Sequence, residues 1–358
     1  MKAEPTGPPR VGVRCDAGPT TGVGHLVRCI ALAEELCSRG IDVLFLGDTG
    51  GLPWADQQLA GRGLTLRPAP ADPAALAELV DREALAAVVL DGYHLHPGTG
   101  AALLARSVPV LAIVDGAFGI DQDADLYLDQ NLGAADRQPR WRAEARVLAG
   151  VQYALMRNLV RARRPVAPPP PRTGGPLQVL AVFGGTDPFR AALAVAPLLL
   201  ATGQPLSLTA IAAAPEVVRK LQQLALGSGQ VVRVQPPVDD LPPLVTAADL
   251  VISAAGTSMW ELCCLGAATA MVCVADNQEA GYRTVVAEGI AAPVGRLTDL
   301  ATDAAARSAG VAVLTELLTD PAARSALAAA GWRRVDGRGR ERVADALLAV
   351  MATSGWVG

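Results

Sequence analysis

The sequence predicts an α/β protein made of two doubly wound, Rossmann-like domains. In both halves of the chain, short β-branched and aliphatic runs alternate with amphipathic segments of helical spacing. A chain of 358 residues is long for one domain and comfortable for two, each with its own core. Strand–helix–strand order builds parallel sheets, whose ligands bind outside the carboxyl ends of the strands. We therefore expect the functional site in a cleft between two facing domains.

The individual strands and helices follow from these runs in order. VGVRC, IDVLFLG, AAVVLDGY and VPVLAIVD are predicted strands of the first half, and a helix is predicted over residues 26–40. LQVLAVFGG, LSLTAIA, QVVRVQP, ADLVISAAG and ATAMVCVA are predicted strands of the second half, most of them followed by a helix. A last helix is expected over Glu341–Met351.

A proline-rich segment marks the domain boundary. Residues 161–176 read RARRPVAPPPPRTGGP, which excludes a helix or a central strand and predicts a semi-rigid linker. The expected organisation is a sugar- or acceptor-side domain over residues 1–160, the linker, a nucleotide-binding domain over 177–340, and a C-terminal helix over 341–358 that packs back on the first domain.

The composition narrows the class of partner. The chain has 31 basic and 35 acidic residues and no dense basic run. This composition favours a small-molecule partner over nucleic acid or an anionic membrane. Six cysteines without CxxC spacing predict reduced core residues of a cytoplasmic protein. The apolar runs are shorter than the roughly 20 residues of a membrane span, and no signal peptide is expected.

The stretch TTGVGHLVRC, Thr20 to Cys29, joins a strand end to a helix. Gly22 and Gly24 allow a tight turn, and a helix start attracts anions. A dinucleotide fingerprint fits poorly, because Val27 stands where the third glycine belongs. His25 at this turn can accept a proton near neutral pH, although a helix-capping histidine is the alternative.

The segment LDGYHLHP also follows a predicted strand. The spacing of His94 and His96 invites a metal interpretation, but no third ligand accompanies them, and a loop or surface pair is the favoured interpretation. Tyr93 projects to the opposite side and is the better candidate for the site. No metal or cofactor is expected.

Three further strand ends carry polar groups. FGGTDP and AGTSMWELCCLG place glycine-containing turns before helices, which is the arrangement that a bound diphosphate requires. Glu261 could accept hydrogen bonds from ribose hydroxyls, or it could complement the dipole of its helix. After the next strand, Asn277 and Gln278 could orient a substrate or water, or Asn277 could cap a helix.

Together, TTGVGHLVRC, DGYHL, DLYLDQNLG, GVQYALMR, FGGTDP, AGTSMWELCCLG and ADNQ occur in this order between about residues 10 and 295. The set resembles the UDP-sugar hydrolase of the pseudaminic acid pathway and related spore coat polysaccharide biosynthesis proteins. This resemblance implies the two-domain glycosyltransferase B fold. A relationship of the family to the peptidoglycan glycosyltransferase that transfers N-acetylglucosamine keeps sugar transfer open.

The resemblance also implies roles for individual residues. His25, Tyr93 and Asn277 match the catalytic histidine, tyrosine and asparagine of the family. The predicted substrate and nucleotide contacts are Gly22, Gly24, Arg28, Gly184, Gly185, Thr186, Gly256, Thr257, Ser258, Glu261 and Gln278.

The predicted reaction is metal-independent hydrolysis of a UDP-linked acetamido or deoxy sugar at the anomeric C–O bond, with inversion. An inverting glycosyltransferase with a small-molecule acceptor is the alternative enzyme. A non-catalytic nucleotide-sugar binding module is the alternative from another class.

Overall fold

The computed structural model describes residues 7–18, 22–115, 119–136, 142, 144–172, 174–184 and 187–355. The chain divides into two compact units. The first unit comprises Met1–Asn158 together with Gly337–Gly358, and the second comprises Leu159–Asp336.

The strands are short and mostly buried, as expected for parallel sheets covered on both faces. They are β1 (Arg10–Cys15), β2 (Asp42–Leu46), β3 (Thr65–Arg67), β4 (Ala87–Asp91), β5 (Val110–Ile113), β6 (Leu126–Asp129), β7 (Arg146–Ala149), β8 (Leu177–Val182), β9 (Leu206–Ile211), β10 (Gln230–Gln235), β11 (Leu250–Ala254), β12 (Thr269–Cys273) and β13 (Ala292–Arg296).

The helices alternate with the strands and accumulate at the C-terminal end. They are α1 (Gly24–Ser38), α2 (Pro53–Ala60), α3 (Pro73–Arg82), α4 (Thr99–Leu104), α5 (Asn158–Arg161), α6 (Ala191–Ala201), α7 (Pro215–Gln222), α8 (Pro242–Ala247), α9 (Ser258–Cys264), α10 (Glu279–Ala287), α11 (Leu297–Thr302), α12 (Ala304–Thr319), α13 (Pro321–Arg334) and α14 (Gly339–Thr353).

The first unit is built on a seven-stranded sheet in the order β3-β2-β1-β4-β5-β6-β7, and every pairing is parallel. The strand order reverses between β1 and β4, where Cys15 is paired with Asp91 at the carboxyl ends. A doubly wound sheet opens a crevice at such a reversal. The fold class predicted from the sequence is confirmed, and this crevice is where a ligand is expected.

Both faces of this sheet are covered by apolar side chains. One buried cluster joins α1 and α14 to the sheet, and a second packs α3 and α4 on the other face. Arg340 at the start of α14 is buried and donates to Glu34 at 3.1 Å and Asn158 at 2.6 Å. The C-terminal helix is thus fixed to α1 within the first unit by apolar packing and ion pairs.

The cysteine prediction needs one correction. Five of the six cysteines are buried and all six are free thiols, but Cys37 is exposed on the last turn of α1. Leu36 on the same turn is fully buried, so this turn still contacts the core, but Cys37 lies on the side of the helix that faces solvent.

The second unit has a six-stranded parallel sheet in the order β10-β9-β8-β11-β12-β13. Its order reverses between β8 and β11, so Phe183 and Gly184 after β8 lie at the same edge as the AGTS segment after β11. The described part of the predicted linker lies in this unit. Arg164 lies over the Trp332 ring at 4.3 Å, and the Trp332 indole donates to the Pro165 carbonyl at 3.0 Å.

The helices that the structure describes are too short or too polar to span a membrane. Among the described residues, none combines sufficient length with sufficient apolar content to cross a bilayer.

Candidate active site

A group of charged and aromatic side chains lies at the carboxyl edge of the first sheet. His25 is the second residue of α1, and Asp91 is the last residue of β4. Because α1 follows β1 and β1 pairs with β4, the two side chains meet at the reversal of strand order. Both are buried, with exposed fractions of 6% for His25 and 1% for Asp91.

His25 is paired with Asp91 and does not cap its helix. Its Nδ1 lies 2.7 Å from Asp91 Oδ1, whereas no side chain caps the start of α1. Arg28 Nη2 also lies 2.9 Å from this Nδ1 and could donate to it only if the ring proton were on Nε2. Because Nη2 already donates to Asp91 Oδ1, and an Nδ1 lone pair would be repelled by that carboxylate, we assign the proton to Nδ1. A carboxylate only accepts, so the Asp91 contact requires the proton on Nδ1. Nε2 is then the basic nitrogen of the neutral ring.

Arg28 keeps the Asp91 carboxylate ionised. Its Nε donates to Asp91 Oδ2 at 2.6 Å and its Nη2 to Oδ1 at 2.5 Å. Burial acts to raise the pKa of Asp91, but the charges of Arg28 and His25 and their hydrogen bonds hold that pKa well below its usual range. A permanently charged acceptor thus faces Nδ1 of His25.

A second carboxylate, Asp115, follows β5 and shares Arg28. Arg28 Nη1 donates to Asp115 Oδ2 at 3.1 Å, and the Tyr93 hydroxyl donates to the same oxygen at 3.0 Å. Tyr93 is 39% exposed, and the partial burial of its phenol, followed by the charge of Asp115, raises the pKa of that phenol, so Tyr93 stays protonated at neutral pH. The Tyr93 ring meets the His25 ring edge to face, with centroids 4.5 Å apart.

The binding role predicted for Arg28 stays a prediction. The guanidinium is 3% exposed and donates to two carboxylates. Although burial acts to lower the pKa of Arg28, the charges of Asp91 and Asp115 raise it above its usual value, so it carries its charge throughout. In the structure Arg28 connects these two carboxylates. It lies three residues after His25, a spacing that places both side chains on the same face of the helix.

Asn131 completes this group from the loop after β6. Its Nδ2 donates to Asp129 Oδ1 at 3.1 Å and lies 3.4 Å from Asp115 Oδ1. Asp91, Asp115 and Asn131 were not among the sequence-predicted site residues. The signal that could have found them is their position, since each stands at or just after the carboxyl end of a predicted or neighbouring strand.

The two other histidines of the chain lie outside this group. His94 is exposed and is paired with Asp16, while His96 Nδ1 accepts from the Gly98 amide at 3.0 Å. Over the described parts of the chain, no cluster of three or more histidine, cysteine, aspartate or glutamate side chains is arranged to hold a metal ion.

The glycine-rich turn before α1 is described only from Gly22 onward. Gly22 has a φ of +74°, which strongly favours glycine, and exchanges backbone hydrogen bonds with Gly18. Gly24 begins α1. Thr20 and Thr21 lie outside the described residues.

The turn after β8 carries an internal anion. Asp187 is buried with a φ of +44°, and its carboxylate accepts from the amides of Ala191 at 2.8 Å and Ala192 at 3.0 Å. Burial raises the pKa of Asp187, and these two amides oppose the rise. Because the first amides of α6 are occupied, a bound phosphate would need other donors. Gly184 has a φ of +75°, and the predicted Gly185 and Thr186 lie outside the described residues.

The turn after β11 leads into the short helix α9. Gly256 and Thr257 are half-buried, Ser258 is exposed at the first position of α9, and Glu261 is 8% exposed in its first turn. Gln278 ties this turn to the next strand, because its Oε1 accepts from the Val274 amide at 3.3 Å while its Nε2 lies beside Gly256. The structure thus brings the predicted Gly256 and Gln278 together.

Asn277 is exposed in the 3₁₀ turn Asp276–Gln278 at the end of β12. The N-cap of α10 is Gln278 and makes no side-chain capping bond, so the structure gives no capping role to Asn277. Its neighbour Asp276 accepts from Arg296 at 2.9 Å. The predicted site residues that the structure describes therefore lie in two places, around His25 in the first unit and at strand ends of the second unit.

Comparison with known proteins gives a fold and no family. No family model matches the sequence, and no curated protein sequence matches it significantly. Among solved structures, MurG of Acinetobacter baumannii is similar with a TM-score of 0.70 at 18% identity, over 96% of this chain and 100% of MurG.

Two further solved structures are similar over nearly their whole length. The UDP-GlcNAc 2-epimerase of Neisseria meningitidis, bound to UDP-GlcNAc, has a TM-score of 0.61 at 14% identity, over 95% of this chain and 100% of that one. The calicheamicin glycosyltransferase CalG4 has a TM-score of 0.63 at 13% identity, over 97% and 100%. The chain thus has the glycosyltransferase B fold, made of two parallel-sheet α/β domains.

Proposed function

We propose that the protein is an enzyme that cleaves a nucleotide-linked sugar at the bond between the anomeric carbon and the phosphate oxygen. The observation that supports this most strongly is the buried pair of His25 and Asp91 at the switch point of the first sheet, 2.7 Å apart. A histidine whose Nδ1 proton is fixed by a carboxylate presents Nε2 as a general base. The glycosyltransferase B fold is compatible with such a substrate, since a similar solved structure holds UDP-GlcNAc.

In the proposed mechanism Nε2 of His25 removes a proton from the nucleophile as it attacks the anomeric carbon. The imidazolium that forms is stabilised by the Asp91 carboxylate 2.7 Å from Nδ1. Arg28 keeps that carboxylate ionised, so Asp91 does not compete for the proton. A single in-line displacement inverts the anomeric configuration.

We assign the sugar to the first unit, with Gly22 and Gly24 beside it, and the nucleotide to the second unit. Support for the nucleotide assignment comes from the turn after β11, where Gly256 and Thr257 precede α9. Backbone amides there would stabilise the charge that develops on departing UDP. Glu261 would accept hydrogen bonds from the ribose, and Asn277 with Gln278 would orient the sugar and water.

The nucleophile that we propose is water, which makes the reaction a hydrolysis. The ordered motifs from TTGVGHLVRC to ADNQ support water, because the family that they resemble hydrolyses a UDP-sugar. Transfer to a small-molecule acceptor is the second candidate. It is favoured by the fold, since CalG4 is a glycosyltransferase of similar structure.

The nucleotide assignment predicts a thermal shift. UDP should raise the melting temperature of the protein by mass action, and Glu261→Ala should reduce that shift, because the buried carboxylate would no longer meet the ribose. Differential scanning fluorimetry over a UDP titration measures both. Glu316→Ala, which removes an exposed glutamate of α12 in the same unit, is the control and should keep the full shift. A shift with NAD and none with UDP would contradict the assignment.

The reaction itself is tested with a panel of UDP-linked acetamido and deoxy sugars in the absence of any acceptor. We expect one member of the panel to release UDP and free sugar in equal amounts, measured by mass spectrometry. Release only after an alcohol or amine is added would instead establish the transferase. Absence of UDP release under both conditions would exclude both enzymes for these sugars.

A further inference from the structure

The two carboxylate oxygens of Asp115 are bound very differently. Arg28 Nη1 and the Tyr93 hydroxyl both donate to Oδ2, at 3.1 and 3.0 Å, as to an ionised carboxylate. Over the described residues, Oδ1 has one contact, with Asn131 Nδ2 at 3.4 Å, which is long for an N–H···O bond. That Nδ2 makes a shorter bond, at 3.1 Å, to Asp129. Oδ1 of Asp115 can therefore accept a further hydrogen bond from a ligand.

Asp115 is also the carboxylate that a ligand can reach beside His25. Its side chain is 25% exposed, whereas the side chain of Asp91 is fully buried. The Tyr93 hydroxyl that donates to Asp115 belongs to a ring that packs against the ring of His25, with centroids 4.5 Å apart. A sugar that reaches His25 thus also meets Asp115.

The charges of this group do not cancel. Arg28 donates twice to Asp91, at 2.6 and 2.5 Å, and once to Asp115, at 3.1 Å. In the described part of the chain, Arg28 is the one cation within ion-pair distance of Asp115. One guanidinium shared by two carboxylates leaves a negative charge while His25 is neutral, as a general base must be. Because Asp91 is buried, it is Asp115 that presents this charge to a ligand.

We propose that Asp115 determines the class of sugar that binds: Oδ1 accepts a hydrogen bond from an O–H or N–H group of a neutral or cationic sugar, and the carboxylate excludes uronic acids. This proposal rests on the proposed function and specifies its substrate class. A carboxylate only accepts, so a hydroxyl, acetamido or amino group can pair with it. A uronic acid instead brings a second negative charge, and repulsion between like charges in a partly desolvated site weakens binding by about 100-fold.

Binding of two matched ligand pairs measures this exclusion. UDP-glucose and UDP-glucuronic acid differ by a hydroxymethyl group against a carboxylate, and UDP-N-acetylglucosamine and its uronic acid differ in the same way. With the wild-type protein, we expect isothermal titration calorimetry to give a Kd about 100-fold higher for the acid of each pair. An acid that binds as tightly as its neutral partner would overturn the proposal.

Asp115→Asn should reverse much of this preference. Arg28 can only donate, so the amide oxygen stays on that side and the NH₂ group takes the place of Oδ1. We expect each acid to bind about 10- to 100-fold more tightly than to the wild type, and each neutral sugar more weakly. Asp115→Ala, which removes the charge and adds no donor, should also admit the acids and keeps the test open if the asparagine variant misfolds.

Asp125→Asn is the control for the removal of a carboxylate. Asp125 is an aspartate of the same unit that accepts from the Val110 amide at the start of β5, away from the carboxyl ends of the strands. This variant should keep the wild-type ratio of the two Kd values in each pair. A ratio that is the same in Asp115→Asn and in the wild type would overturn the proposal.

Monodeoxy analogues test the hydrogen bond to Oδ1. Among the monodeoxy forms of the UDP-sugar with the lowest Kd, we expect one to bind the wild type about 10-fold more weakly than its parent. In Asp115→Ala the same analogue should lose nothing, because the acceptor is gone. Equal losses in both proteins for every analogue would overturn the proposal. All these measurements detect binding without turnover, so such a result beside intact release of UDP is distinct from failure of the proposed function, in which no UDP is released.

Discussion

Replacing Asp91 with asparagine is expected to lower kcat by about 10³- to 10⁴-fold. An asparagine amide can donate to Nδ1 of His25, which leaves the proton on Nε2 and removes the base. The wild-type carboxylate lies 2.7 Å from Nδ1 and cannot donate at neutral pH. Steady-state kinetics on the substrate identified from the panel measure the loss. Activity close to wild type would show that Asp91 does not set the tautomer of His25.

The same substitution should also lower the free energy of unfolding, because Arg28 loses one of its two carboxylate partners. Removal of one member of a buried pair costs about 3–5 kcal/mol, and Asp115 would offset part of that cost. The pKa of Asp91 is lower in the folded than in the unfolded state. Its contribution to the free energy of unfolding is therefore present above the unfolded pKa of about 3.9 and is lost as the pH falls through the folded pKa. The asparagine variant should therefore lose part of the acid sensitivity of the wild type.

Asp125→Asn is the control for the loss of kcat. Asp125 is a partly buried aspartate of the first unit, and it accepts from the Val110 amide at 3.0 Å, at the start of β5 and away from the carboxyl ends. It should change stability and leave kcat within about two-fold, since effects of distant sites are independent.

Replacing His25 with alanine is expected to lower kcat by at least about 10²-fold, with UDP affinity nearly unchanged. The base would be lost, whereas the proposed nucleotide contacts belong to another part of the chain. Kinetics and a UDP titration on the same preparation measure both quantities. Partial rescue of kcat by free imidazole would support the role of the base. A variant that is less stable and keeps full activity would reduce His25 to a structural partner of Asp91.

Local patterns were enough to predict the fold class. β1 was predicted over residues 11–15 and is observed over Arg10–Cys15, and the last helix was predicted over Glu341–Met351 and is observed over Gly339–Thr353. Both elements could be recognised from residues that lie within one short window of the sequence. The predicted and observed bounds of the last helix differ because its start depends on contacts of Arg340 with residues that are distant in the sequence, such as Glu34.

The composition of the candidate site could be predicted only in part. The sequence indicated His25 because it follows two glycines, and Tyr93 because it follows a predicted strand. Asp91 could be recognised only as the end of that strand. Its pairing with His25 joins residues 66 positions apart, and it depends on β1 lying beside β4. Strand order is set by tertiary packing and is absent from any local window. For the same reason the contacts of Arg28 with Asp91 and Asp115 could not be predicted, and its substrate-binding role stays a prediction.

The position of an oxygen isotope tests the central claim most directly, which is that His25 delivers water to the anomeric carbon. The substrate found in the panel is hydrolysed in ¹⁸O-water, and both products are analysed by mass spectrometry. Water that attacks the anomeric carbon supplies the new hydroxyl of the sugar, so we expect one ¹⁸O in the free sugar and none in UDP. Label in UDP would mean attack at phosphorus and would contradict both the bond that we propose to break and the role given to His25.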